Sequence, residues 1–134
     1  MVGCFPPDRS MKHYPKLVLR AARLARECDV IVVGFYGQLI LPFIKLLTGK
    51  PILFDMYIAT FDTMINDRGA AKPGSLKAWI YKMSDVVSCW MSKRLVLETQ
   101  DHIRDFAKKF NVPEEKFGRV FLAVDTDSIY PRKV

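Results

Sequence analysis

The sequence is poor in the residues that most often announce chemistry. It has two histidines, His13 and His102, too far apart along the chain to suggest a His-rich metal centre or a Ser-His-Asp arrangement. Its three cysteines, Cys4, Cys28 and Cys89, are widely spaced and outside any C-x-x-C. Neither a disulfide framework nor a zinc knuckle is indicated, and a reducing cytoplasm is the expected setting. No G-x-G-x-x-G occurs, and Gly69-Ala70-Ala71-Lys72-Pro73-Gly74-Ser75 lacks the lysine that a phosphate-binding loop needs after its second glycine. Uninterrupted apolar runs of membrane-spanning length are missing too. Val30 to Leu47 comes nearest, but Gly34, Gly37, Pro42 and Lys45 break it, and a buried strand, a glycine turn and a short helix explain those breaks better than a span does. Residues 1–15 carry early prolines and no long apolar core, so they do not read as a signal peptide.

What is present is a chain of 134 residues, half of them apolar, enough for one core. Twenty-one basic against fourteen acidic side chains leave a net charge of +7, which favours a polyanionic neighbour: nucleic acid, an anionic membrane surface or phosphorylated small molecules. Lys77, Trp79, Tyr81 and Lys82 interleave cations with rings as a base-stacking surface would, yet Trp79 and Trp90 fall on an apolar helical stripe, so no nucleic-acid partner is expected. Lys16, Arg20 and Arg23 line one side of a helix beginning at Pro15, a face suited either to anionic lipid or to plain solvent.

Periodicity predicts alternating helices and strands. The helix from Pro15 turns Leu17, Ala21, Leu24 and Cys28 to one side. Val30 to Val33 reads as a strand buried on both faces of a parallel sheet, followed by a short helix over about Gln38 to Leu47 and a second strand, Ile52-Leu53-Phe54. Ser75 to about Ser92 forms a long helix whose Leu76, Trp79, Ile80, Met83, Val86, Val87 and Trp90 read as a core-facing stripe. Arg94 to Glu98 is a third strand, Thr99 caps a helix carrying Ile103, Phe106, Ala107 and Phe110, and Arg119 to Val124 is a fourth strand. The fold class is therefore α/β: a Rossmann-like open, mostly parallel sheet with helices on both faces. Residues 1–125 form the domain, and residues 126–134 read as the start of a linker.

In such sheets ligands collect at the carboxyl ends of the strands. Gly34 to Gln38, Asp55 to Arg68, Glu98 to Asp101 and Asp125 to Asp127 leave those ends, and the second is the longest and most acidic. Asp55 after an apolar strand is also where a response-regulator receiver would be phosphorylated. A receiver, however, needs an acidic pair after its first strand, where only Asp8 is near, and a lysine ending the last strand, where this chain has Ala123-Val124-Asp125.

Val112-Pro113-Glu114-Glu115-Lys116-Phe117, then Val124-Asp125, Tyr130 and Pro131, resemble the end of the N-terminal domain in family 4 glycosyltransferases of the two-domain GT-B fold. There the pattern is V/I-P-x-x-K-V/I, a strand, and N-G-V-D-x-x-x-F-x-P; Leu122-Ala123 departs where Asn-Gly is usual. Upstream, the run from Cys28 through Arg68 is similar to members that read D-V-I-I-V-G, a helix, K-P-V/I-I/L-F-D and S-x-Y/F-D-T-x-x-x-D-R, with Phe61-Asp62-Thr63 and Asp67-Arg68 matching. The segment Lys82 to Phe106 likewise resembles the family's helix ending near A-D-x-V-L-x-x-T and the helix after it.

The resemblance implies transfer of a sugar from a nucleotide-sugar donor to an acceptor hydroxyl in a cleft between two Rossmann-like domains, with this chain as the acceptor-side half. It implies that several early strands and the donor-binding domain are missing, so this chain itself binds no cofactor and the donor belongs to the missing domain or a partner chain. Asp55 stands where many relatives carry an active-site histidine. Gly34, Gly37, Tyr57, Asp62, Thr63, Asp67 and Arg68 form the implied acceptor-binding set, with an ion pair that only fixes the loop as the alternative role of Asp67 and Arg68. Glycan biosynthesis in the cytoplasm, at the inner face of the membrane, is the matching setting, with self-association through an exposed apolar edge. A receiver phosphorylated on Asp55 and a non-catalytic interaction module are the competing expectations.

Overall fold

The computed structural model describes residues 2–7, 10–34 and 36–121. Among them four strands, β1 (Ile31–Val33), β2 (Ile52–Asp55), β3 (Arg94–Leu97) and β4 (Phe117–Arg119), form one sheet in the order β1-β2-β3-β4, every neighbour parallel. Four α-helices accompany them: α1 (Tyr14–Leu24), α2 (Leu41–Thr48), α3 (Leu76–Met91) and α4 (Gln100–Phe110). The expected α/β, Rossmann-like open parallel sheet is the architecture of the chain. The apolar run from Val30 resolves into β1, a tight turn and α2, and among the described residues no helix is long and apolar enough to cross a membrane.

Local chemistry sets most boundaries. Pro15 and Pro42 occupy first-turn positions of α1 and α2, where a missing N–H costs nothing. The Ser75 hydroxyl accepts from the Ala78 N–H at 3.2 Å and the Thr99 hydroxyl from the His102 N–H at 3.2 Å, capping α3 and α4. Gly49 (φ 64) and Asn111 (φ 51) end α2 and α4 in the left-handed conformation. The fourth strand starts at Phe117, two residues before the expected Arg119, because Phe117 pairs with Leu95 and fills the core; Leu122 to Val124 and the linker residues 126–134 lie outside the described residues.

Two expectations about packing are corrected. Strands stepping in one direction with crossovers of one hand place every connecting helix on the same side. One core accordingly joins Val33, Ile52, Phe54, Leu95, Leu97 and Phe117 from the strands to residues of all four helices. The helices thus gather on one face instead of two. The alternate strand residues point away from them: Val32 is 64% exposed, Asp55, Arg94 and Gly118 are exposed, and Leu53 and Val96 are half-buried. The strands are not buried on both faces.

The second correction concerns α3. It packs through Ala78, Tyr81, Ser84, Asp85, Ser88 and Cys89, whereas Leu76, Trp79, Ile80 and Trp90, expected in the core, are exposed. Small side chains let the helix approach the sheet closely, and the bulky stripe is left outside.

Candidate functional site

Because the strands are parallel, β1, β2 and β3 deliver their exits to one edge of the sheet. The backbone is forced at two of them. Tyr36, in the turn after β1, has φ 62, and Tyr57, after β2, has φ 31. A bulky residue with positive φ costs on the order of 1–3 kcal/mol and persists only where the surroundings over-determine it. Gly37 is buried, and a Cβ there would lie 2.1 Å from the Val33 Cγ1. Gly37 therefore lets the turn fold down on β1. Gly34 is exposed, with open space where a Cβ would go.

The segment after β2 is folded. Residues Asp62–Asp67 form a π-helical turn, with the Arg68 N–H donating to the Thr63 carbonyl at 3.0 Å, and Gly69 (φ 57) ends it. Such turns are rare and recur at functional sites. Ile65 packs with Ala78 and Tyr81 of α3, and Leu39, Phe61, Met64 and Ala71 border that cluster. The turn thus has its own apolar anchor, separate from the main core.

Its amino end is held from a distance. Asp85, on the inward face of α3 and 0% exposed, accepts from the Thr60 N–H at 2.9 Å and the Phe61 N–H at 2.8 Å, one on each carboxylate oxygen. This does the work of a helix N-cap for a turn 24 residues upstream. Burial pushes the Asp85 carboxyl up to about 6; the two N–H groups and the Thr60 side chain pull the other way, and the Asp62 charge adds to the rise. One turn along, burial and the Asp85 charge push the Cys89 thiol up to about 12.

Two further buried contacts bind the exits together. The Gln38 side-chain amide donates to the Ile58 carbonyl at 3.1 Å, and the Ser88 hydroxyl donates to the Gln38 carbonyl at 2.9 Å. Nearer the surface, the Arg68 guanidinium lies 5.9 Å from the Tyr36 ring centroid, bridging the first and second exits by a cation–π contact. Lys109 of α4 pairs with Asp62, whose other oxygen accepts from the Asn66 amide at 3.2 Å. At the third exit His102 Nδ1 lies 3.0 Å from Glu98.

Among the residues singled out from sequence, Asp62, Arg68 and Tyr57 reach this edge with exposed or half-buried side chains, and Gly34 with exposed backbone. Asp67 is exposed, and no ion pair joins it to Arg68 among the described residues. Thr63 is buried inside the turn. Asp55 alternates with Phe54 onto the uncovered sheet face, away from the Asp62–Lys109 pair on the helix side. The three carboxylates do not converge: no group of three or more His, Cys, Asp or Glu that could hold a metal ion occurs among the described residues. Asp8 and Asp125 to Asp127 lie outside them.

Sequence reasoning missed Asp85, Gln38, Ser88, Tyr36 and Lys109. A signal existed for the first: Asp85 is the lone carboxylate of a 16-residue helix and lies on its small-residue face with Ser84, Ser88 and Cys89. Two concavities among the described residues lie elsewhere, about 360 Å³ between α1 and α2 and about 90 Å³ beside Trp90 and Pro113. The sequence matches no protein-family model and no curated protein.

Proposed function

We propose that this chain is the acceptor-side half of a glycosyltransferase, presenting an acceptor hydroxyl to a nucleotide-sugar donor held by a donor-binding domain or partner chain. The observation that carries the reading is the Asp85-capped π-helical turn at the carboxyl edge of a parallel sheet. The residues that resemble the family's acceptor loop, Asp62 to Arg68, are the ones this turn orders. A sheet that steps in one direction is also half of a doubly wound sheet, the part expected after the early strands.

Chemically, an acceptor wall needs a rigid loop, hydrogen-bonding groups for sugar hydroxyls and a carboxylate to polarise the attacking oxygen. Arg68, held against Tyr36, and the exposed Asp67 supply polar contacts, and Asp62, paired with Lys109, is a carboxylate to which a hydroxyl could donate. Asp55 lies at the strand end but toward the opposite face, so Asp62 is the better carboxylate for that role. A receiver would need further acids beside Asp55, and no such trio gathers among the described residues.

The test is transfer of a radiolabelled sugar, from a panel of nucleotide sugars, to saccharide acceptors by this chain with a donor-binding domain supplied in trans. Transfer is expected only with both parts and is expected to fall at least tenfold in Asp62→Ala and Arg68→Ala. Stoichiometric phosphorylation of Asp55 by an acyl phosphate with magnesium would overturn the proposal.

A further inference from the structure

Helices α1, α2 and α3 form one layer over the sheet, and their outward sides have an unusual composition. On α1, Leu19 is 57% exposed; on α2, Phe43, Leu46 and Leu47 all face out; on α3, Leu76 is 74% and Trp79 58% exposed. The same helices carry the exposed cations Lys16, Arg20 and Arg23 of α1 and Lys82 of α3, whereas the Lys77 ammonium donates to the Ala70 carbonyl at 3.3 Å. The only carboxylate in the three helices is Asp85, and it is buried on the inward side. Glu27 and Asp29 follow α1, beyond its last turn. Between α1 and α2 runs a groove of about 360 Å³ in which Arg23, Arg26 and Lys50 ring an apolar floor that includes Leu19 and Leu47.

We propose that this outer side of the helix layer docks on an anionic lipid bilayer. Apolar side chains entering the headgroup boundary, cations around them and no opposing carboxylate are the complement of a negatively charged interface, and tryptophan suits that depth. The groove accepts a phosphate headgroup at its cationic rim while Leu19 and Leu47 meet acyl chain. A second copy is a poorer occupant. A two-fold contact sets the same patch against itself, so cations would face cations with no carboxylate to relieve them. The inference stands on this surface alone and does not depend on the glycosyltransferase reading.

The experiment is co-sedimentation of the full chain with vesicles of phosphatidylcholine alone and with 30 mol% phosphatidylglycerol, alongside tryptophan fluorescence of Trp90→Phe. Binding is expected to the anionic vesicles only, to weaken steeply with added salt, and to bring a blue shift of Trp79 that brominated lipid quenches. Arg23→Gln/Arg26→Gln/Lys50→Gln is expected to bind on the order of 100-fold more weakly. Phe43→Ser/Leu46→Ser, at exposed positions that leave the core intact, is expected to abolish Trp79 insertion. Glycerol phosphate in solution is expected neither to compete nor to shift Trp79. Equal binding to both vesicle types, undiminished binding by both variants, or a dimer that Leu46→Ser dissociates without any vesicle binding would each overturn the proposal.

Discussion

At the scale of single residues the account turns on Asp85. A carboxylate wholly out of solvent is tolerated because two backbone N–H groups meet its oxygens, and even so burial wins and its pKa stands near 6. The folded chain then holds this proton more tightly than the unfolded chain. Stability from this group is full below the unfolded value near 4 and is lost as pH rises through about 6, a loss of about 3 kcal/mol. Urea titrations from pH 4 to 7 should show this fall in the native sequence relative to Asp85→Asn, which has no proton to lose; parallel profiles would contradict it. Asp85→Ala leaves the Thr60 and Phe61 N–H groups without their acceptor and should cost about 2–4 kcal/mol near pH 4, a cost that shrinks as pH rises through about 6. The place of Asp85 on a small-residue face was legible, but its role was not, because a lone acid in a helix reads as solvated and only the tertiary approach of residues 60 and 61 gives it a partner.

At the scale of elements, capping and periodicity were good guides where one face of a helix is apolar. Thr99 and α4 with its Ile103-Phe106-Phe110 face lie where the pattern put them. They misled at α3, which carries two rival stripes. The larger side chains, Leu76, Trp79 and Ile80, suggested the buried side, but a helix pressed onto a sheet and a packed turn favours the smaller ones. The loop after β2 was legible in position and composition and not in shape, since nothing local encodes a π-helical turn whose cap comes from another helix. Gly37 gives a check at this scale. Gly37→Ala must displace Val33 and should cost about 1–3 kcal/mol in thermal or urea unfolding. A stable variant with altered ligand binding would mean that Gly37 faces a ligand after all.

At the scale of the whole molecule, the described residues leave one face of the sheet uncovered. All-parallel sheets are found almost only with both faces covered, which is why strands this apolar led to helices on two sides. Val32 lies open there beside the half-buried Leu53 and Val96, with Asp55 and Arg94 as charges of opposite sign. A second copy can set Asp55 against Arg94, and the isolated chain is expected to self-associate through this face. Sedimentation velocity should show concentration-dependent association that Val32→Lys suppresses and that substitutions on the helix layer leave in place. A monodisperse native chain at high concentration would contradict this.

The central claim, that the carboxyl edge is an acceptor wall lacking a donor site, is tested most directly by titrating the ¹⁵N-labelled chain with a panel of mono- and disaccharides and, separately, with nucleotide sugars. The account predicts that a saccharide shifts amides in residues 34–38 and 56–68 and that nucleotide sugars shift none. Shifts caused by a nucleotide sugar at that edge, or a saccharide response confined to other parts of the chain, would contradict it.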